Sequence, residues 1–262
     1  MSRPLFYVPA GRLDGIQPGD LVEVGGPEGR HAVAAKRLAR GEGVDLADGA
    51  GVRAVGTVAG AEGQTLTVGV ERVAREPRRP FRFVLVQALA KGDRDELAAE
   101  AATELDVDAV IPWQAERSIV RWKGERGEKA LAKWRSVVVA AAKQARRAVV
   151  PAVEAAHDGA RLAERIASAR LAVVLHEDAV EPLSSVLETL AAQDGDEGEV
   201  LFVVGPEGGI TPDELARFTA AGARLALLGP HVLRSSTAGP AALALAGDRL
   251  GRWRARDGRA DS

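Results

Sequence analysis

From residue 81 onward, short apolar runs bounded by turn residues alternate with segments of helical period. The spacing predicts strands over 81–89, 109–112, 171–175, 200–204 and 224–228. Between them it predicts helices over 94–105, with Asp93 as cap, and over 128–149, 183–192, 212–221 and 236–250. Strands that are apolar on both faces need cover on both faces, and helical crossovers between parallel strands supply it. Residues 75–262 therefore read as an α/β domain with a mostly parallel sheet. Before them the rhythm differs: short strands over 5–8, 21–24, 44–46, 52–58 and 65–73 are separated by glycine turns, and a helical piece covers 31–39. This predicts a small β-rich domain over residues 1–74, of the barrel type. The stretch 72–82 places two prolines among five arginines and reads as the linker.

Composition narrows the chemistry. With 46% hydrophobic and 27% charged residues among 262, the chain is an ordinary folded protein. It has no cysteine, which removes disulfides, thiolate nucleophiles and Cys-ligated metals. Four histidines, His31, His157, His176 and His231, are widely spaced with no HExxH pattern, so no metal site is expected. The longest uncharged run, 235–247, is shorter than the ~18–20 residues a membrane span needs, and the N-terminus has no long apolar leader. A soluble cytoplasmic protein without a membrane partner is expected. The net charge of −2 does not suggest nucleic-acid binding through bulk charge, although local clusters can reverse that.

The segment Val203-Val-Gly-Pro-Glu-Gly-Gly-Ile-Thr-Pro-Asp-Glu214 concentrates the chemical signal. A strand runs into Gly205, Pro206, Glu207, Gly208 and Gly209, and Thr211-Pro-Asp-Glu214 forms a capping box with proline at the first helical position. Strand, glycine loop and helix N-terminus resemble a nucleotide crevice at the carboxyl end of a sheet. The loop is neither GxGxxG nor a P-loop, and Glu207 would repel a phosphate. It suits a ligand with positive charge, or one held by its ribose and adenine edges. A plain tight turn between strand and helix is the other reading. A second glycine corner follows: Leu227-Leu-Gly-Pro-His-Val-Leu-Arg-Ser-Ser-Thr-Ala-Gly239. Its Ser235, Ser236 and Thr237 offer a helix cap, and Arg234 is its nearest cation, readable also as a surface or capping residue.

These two strings, GPEGGITPDEL and LGPHVLRSSTA, resemble the paired cofactor motifs of the SPOUT methyltransferases. More narrowly they resemble the RsmE family, which methylates uridine N3 in 16S ribosomal RNA. Arg30-His31, Lys36-Arg37 and Asp48-Gly49 are similar to that family's N-terminal PUA-like segment. Gln87-Ala-Leu-Ala-Lys-Gly-Asp-Arg94, Ala102-Thr-Glu-Leu105, Glu116-Arg-Ser118 and Lys143-Gln-Ala-Arg-Arg147 are similar to its intermediate motifs. Ser236 stands where the family often has Glu, and Asp106 where it commonly has Gly.

The resemblance implies a PUA-like barrel over 1–74 and a SPOUT domain over 75–262 with a deep trefoil knot at about 201–245. It implies S-adenosylmethionine as cofactor, 16S rRNA of the small ribosomal subunit as partner, and a homodimer; the helix over 128–149 and the last helix are candidate interface elements that could equally pack inside one subunit. The implied cofactor contacts are Leu175, His176, Glu177, Gly205, Pro206, Glu207, Gly208, Gly209, Leu228, Gly229, Val232, Leu233, Arg234, Ser236, Thr237 and Ala238. Arg234 is the candidate catalytic residue, stabilising the uracil oxygens, while Glu177, Glu207 or a water takes the N3 proton. For RNA the candidates are Arg30, His31, Arg37, Arg78, Arg79, Arg82, Lys91, Arg117, Lys143, Arg146 and Arg147. Solvated charged faces, or pairing of Lys91 and Arg117 with nearby acids, are the plainer readings. Two other functions stay open: a SPOUT enzyme with a different RNA target, and a non-catalytic RNA-binding ribosome-assembly protein.

Overall fold

The computed structural model describes residues 3–253, so the outermost ends of both expected domains lie outside the described residues. The chain forms two compact units, one of residues up to 78 with 142–150, the other of 79–141 with 151 onward. The division follows Arg78 rather than residue 74, and the return of 142–150 to the first unit is something a linear reading does not anticipate.

The first unit is a five-stranded sheet in the order β1-β3-β4-β5-β2. Its strands are β1 (Leu5–Tyr7), β2 (Leu21–Val24), β3 (Gly43–Ala47), β4 (Val52–Glu62) and β5 (Thr65–Arg75). β1 and β3 are parallel and the other pairs antiparallel. Buried and partly exposed residues alternate along β4 and β5, as the two-residue period of a strand requires when one face covers a core. The inward side chains, among them Phe6, Val22, Leu46, Ala54, Leu66 and Val68, make one apolar cluster. Register shifts at Val55/Gly56 and Val58/Gly60 bend the long β4–β5 ribbon. Gly56 is required there, since a Cβ would stand 2.2 Å from the Gly69 carbonyl oxygen.

The helical piece expected over 31–39 lies earlier, as α1 (Gly26–Arg30) and one π-helical turn, His31–Ala35. Pro27 supplies the start of α1, a signal the apolar pattern obscured. The helix expected over 128–149 also needs correction, because α3 spans Gly124–Gln144. Beyond it Arg146 turns left-handed at φ 54°, and the chain pairs with the 48–51 turn: Val150 N–H donates to Gly49 O (2.9 Å) and Gly51 N–H to Ala148 O (3.1 Å).

The second unit is a parallel six-stranded sheet in the order β11-β9-β10-β6-β7-β8. In chain order its elements are β6 (Arg82–Ala88), α2 (Arg94–Glu104), β7 (Ala109–Trp113) and, after α3, β8 (Ala152–Val153) and α4 (Gly159–Ser168). Then come β9 (Leu171–Leu175), α5 (Leu183–Ala191), β10 (Glu199–Val204), α6 (Pro212–Ala220), β11 (Arg224–Ala226) and α7 (Ser235–Arg249). The sequence reading missed β8, too short for any period, and α4. The latter did have its signals: an Asp158 cap accepting from Arg161 N–H at 2.9 Å, and Leu162 and Ile166 one turn apart.

Both faces of this sheet are covered. Val84, Val86, Ile111, Trp113, Val174, Leu201 and Val203 pack with Leu162 and Ile166 of α4 and Phe218 of α6. Phe83, Leu85 and Phe202 face the other way, where α7 packs on β6, β10, α2 and α5. Gly239 of α7 lies so close to β6 that a Cβ would stand 2.7 Å from Leu85 Cδ1.

Arg252 holds the end of α7 in place. Its side chain is fully buried, donates to the carbonyls of Phe81 (3.3 Å) and Asp106 (3.0 Å), pairs with Asp106 and Asp108, and lies over the Phe83 ring at 4.4 Å. Asp106 takes φ +75°, a conformation that favours glycine, and its carboxylate joins Arg252 and Arg79. The departure to Asp at this position thus carries ion pairs that a glycine cannot make. Arg252→Ala removes a buried guanidinium from two partly buried carboxylates and two carbonyls and is expected to lower unfolding free energy by about 3 kcal/mol in urea titrations. Asp106→Gly should cost less, because relief of the left-handed backbone returns about 1 kcal/mol.

At the start of α2, Asp93 makes no side-chain cap and reaches Lys133 instead (3.6 Å). The buried Asp95 does the tying, accepting from Ala90 N–H (3.2 Å) and Glu96 N–H (2.9 Å). Burial pushes its carboxyl up to about 6, against the partial opposition of those amides. A folded pKa above the unfolded one gives stability that is full below pH ~4 and lost as pH rises through ~6. Asp95→Asn should therefore flatten the fall in stability between pH 4 and 7 by on the order of 2 kcal/mol, read from melts across that range.

Candidate functional site

The strand order reverses beside β6: β7 and β8 build outward on one side, and β10, β9 and β11 lie on the other. Loops leaving the carboxyl ends of strands on the two sides of such a reversal diverge and leave a crevice. Here those loops are 89–93, 176–182, 205–211 and 227–234.

β10 delivers the 205–209 loop. A Cβ on Gly205 would stand 2.6 Å from Ile210 Cγ1, and Gly209 has φ +75°, so neither position accepts a side chain without strain. Gly209 N–H closes the turn on Pro206 O at 2.9 Å. The capping box forms as the sequence reads: Thr211 Oγ1 accepts from Glu214 N–H (3.2 Å), and Glu214 Oε2 accepts from Thr211 N–H (3.1 Å). The buried Glu214 also accepts from Glu116 N–H (2.8 Å), which docks the 116–118 segment against the loop. There Arg117 Nη1 donates to Gly208 O at 3.2 Å. Glu207 pairs with Arg94 at the first turn of α2 (3.0 Å), so the loop's anion is neutralised in place.

The second corner pairs with the end of β9. His176 N–H donates to Ala226 O (3.1 Å), Leu227 N–H to Glu181 O (2.8 Å) and Leu183 N–H to Leu227 O (2.8 Å). His176 Nδ1 accepts from Asp178 N–H (3.2 Å). Glu177 is exposed. Leu228 and Gly229 are half-buried, whereas Val232 and Leu233 are 75% and 39% exposed. α7 begins at Ser235, one residue before the expected start, with Arg234 in the cap position and no side-chain cap. The Arg234 carbonyl accepts from Thr237 and Ala238 N–H, while among the described residues its guanidinium makes no hydrogen bond or ion pair.

Beside the glycine loop is a cavity of about 560 Å³ lined by Lys91, Gly92, Asp93, Arg94, Leu97, Ile119 and Glu207. Leu97 and Ile119 are 53% and 69% exposed, giving it apolar walls between cations. Four side-chain polar atoms toward this end of the sheet are buried without a partner: Gln87 Oε1, Trp113 Nε1, Ser118 Oγ and Ser235 Oγ. Gln87 and Arg94 open and close the motif Gln87–Arg94, and the sequence alone gives neither a role.

The cations proposed for RNA fall into two groups. Arg79 pairs with Asp106, Arg82 with Glu199 and Glu154, and Lys143 with Glu28 while lying over the Phe6 ring. These hold their own units together. The carbonyls of Arg146 and Arg147 accept from Arg53 and Tyr7. Arg30, bonded to Gln64 at 3.2 Å, and His31 and Arg37 are exposed. Arg78 lies in the 76–81 connection. His157 is buried with Nδ1 on Ala155 O (2.8 Å), and burial lowers its pKa. Among the described residues no three His, Asp or Glu side chains converge as a metal site, and no helix is long and apolar enough to cross a membrane.

Residues 77–247 match the RNA methyltransferase domain family. Proteins called ribosomal RNA small subunit methyltransferase E from Mycobacterium bovis and Mycobacterium tuberculosis are each 43% identical over 260 residues, covering 97% of this chain and 94% of theirs. The crystal structure of the protein of that name from Neisseria gonorrhoeae, bound to S-adenosyl methionine, has a TM-score of 0.77 and 26% identity, covering 94% of this chain and 98% of its own. The chain belongs to the ribosomal RNA small subunit methyltransferase E family, the RsmE family.

Proposed function

We propose that this protein transfers the methyl group of S-adenosylmethionine to N3 of a uridine in the 16S RNA of the small ribosomal subunit. The carrying observation is the crevice between two glycine corners at the strand-order reversal, in a chain of this family. Its features fit that cofactor. The donor has no phosphate, and the crevice has no phosphate loop; Gly205 and Gly209 leave backbone groups open to a close ligand, and Gln87 Oε1 and Ser235 Oγ are buried polar atoms in need of partners. The residues that would hold it are Leu175, His176 and Glu177, the 205–209 loop, Leu228, Gly229, and Val232 through Ala238. When bound, the cofactor supplies a methyl group made electrophilic by its sulfonium.

The chain's own residues do the rest. Uracil N3 is a weakly acidic imide, so its proton must leave and the resulting anion must be stabilised. Arg234, with no partner among the described residues, serves the uracil oxygens. Glu177, exposed at the end of β9, suits proton acceptance better than Glu207, which Arg94 already neutralises. N3 lies on the Watson–Crick edge, so the target base must be unpaired or flipped. The cavity walled by Leu97 and Ile119, with Lys91 and Arg94 at its rim, is suited to a flipped base and its phosphate.

The finer architecture belongs to the same proposal. A trefoil knot over about 201–245 is supported by α7, which follows the edge strand β11 yet packs on β6, β10 and α2. A PUA-like barrel over 1–74 is supported by five strands about one core and by the bulges that bend β4 and β5. A homodimer using α3 and α7, acting in the cytoplasm, completes the reading.

The test is incubation with labelled S-adenosylmethionine and small subunits lacking the modification, followed by mass spectrometry. It should find 3-methyluridine in 16S RNA; donor binding with methylation only elsewhere would overturn the substrate assignment. Arg234→Ala should lower kcat about 100-fold while leaving donor affinity within a few-fold, and near-normal turnover would remove Arg234 from the chemistry. Replacing Arg30 and Arg37 together by Ala should reduce the salt slope of RNA binding by about 2 if both meet phosphates.

A further inference from the structure

Gln87 occupies a place where an apolar residue would cost nothing. It is fully buried in β6, its register partner on β10 is Val204, and the residue after Val204 opens the glycine loop. Its Nε2 makes one long contact with Ala88 O (3.4 Å), and its Oε1 has no donor. Leaving a buried acceptor unsatisfied costs roughly 1–3 kcal/mol, which favours replacement unless the oxygen has other work.

The packing of α7 shows what lies above it. Gly239 sits on Leu85, and Arg252 beyond α7 reaches back to the carbonyl of Phe81, so the helix runs against the direction of β6. Gln87 is two residues past Leu85 on the same face of the strand, and Ser235 is one turn before Gly239 on the helix. Another unpartnered atom, Ser235 Oγ, therefore stands on the same side as Gln87, at a helix N-terminus that no side chain caps. One group is an acceptor fixed by the contact of its own amide nitrogen. The other is a hydroxyl free to donate beside the positive end of a helix of 15 residues.

An acceptor and a donor so placed match the two charges of an α-amino acid. We propose that Gln87 Oε1 receives the ammonium, and that Ser235 with the α7 N-terminus receives the carboxylate, of the methionine end of the methyl donor. This rests on the donor reading above and deepens it. The two residues are positioning residues: by fixing the amino-acid end they orient the sulfonium toward the crevice.

The test measures binding of S-adenosylmethionine, S-adenosylhomocysteine and methylthioadenosine, which lacks the amino-acid end, by calorimetry on the full chain. Gln87→Leu and Ser235→Ala should each weaken the first two tenfold or more and leave the third within twofold. Gln87→Glu, which keeps an acceptor oxygen, should recover most of the loss. Gln87→Leu should melt no lower than wild type, because it removes an unsatisfied group; a clear drop would mark Gln87 as part of the packing and overturn the proposal. Unchanged binding of all three ligands by Gln87→Leu would overturn it too, as would a loss confined to S-adenosylmethionine, which would put the oxygen on the sulfonium. Wild type that binds none of the three would sink the donor reading itself, a failure visible before any variant is made.

Discussion

The parallel ladder between β6 and β10 joins residues 82–87 to 199–204, two strands separated by more than a hundred residues of chain. The arrangement of loops at the carboxyl end of the second unit's sheet depends on that register. It sets Gln87 beside Val204, and so places the first turn of α2 next to the glycine loop, where Arg94 meets Glu207. A one-residue slip would turn Phe83, Leu85 and Phe202 to the opposite face and remove their packing. Phe83 and Phe202 resist it, meeting edge to face at 5.8 Å.

Around that ladder the cations divide by task. Arg79, Arg82 and Arg252 are taken up by acids and carry structure; Arg94 and Arg117 shape the glycine loop, one through Glu207 and the other through the Gly208 carbonyl. Arg234 stands apart at the cap of α7. A guanidinium that bonds a loop carbonyl is committed to holding backbone, whereas one without a partner among the described residues can meet charge that develops on a substrate. The same residue type is thus committed to an acid or a carbonyl in one place and, among the described residues, left without a partner in another, and only the neighbours decide which.

Much of this was legible one element at a time. The strand over 171–175 and the capping box at Thr211 stand where their local patterns put them, because apolar runs and N-cap chemistry act over a few residues. Asp93 failed as a cap because a better-placed carboxylate, Asp95, was two residues away, and burial of that group is a tertiary fact. The helix read over 128–149 lies four to five residues earlier, at Gly124–Gln144. Pairing of residues 148–150 with the 49–51 turn, nearly a hundred residues away, outweighs local propensity there.

By itself the sequence determined the two rhythms of the chain, the glycine corners and the absence of thiol chemistry, since each follows from residue type and short-range spacing. Only the tertiary structure decided which cations are spent on ion pairs, that a left-handed Asp106 pairs with Arg79 and Arg252, and that Gln87 and Ser235 lie unsatisfied at one end of the sheet. The physical reason is one of range. A cap or a turn is settled by neighbours in sequence, while burial and partnership are settled by strands and helices that meet only after the chain has crossed the sheet.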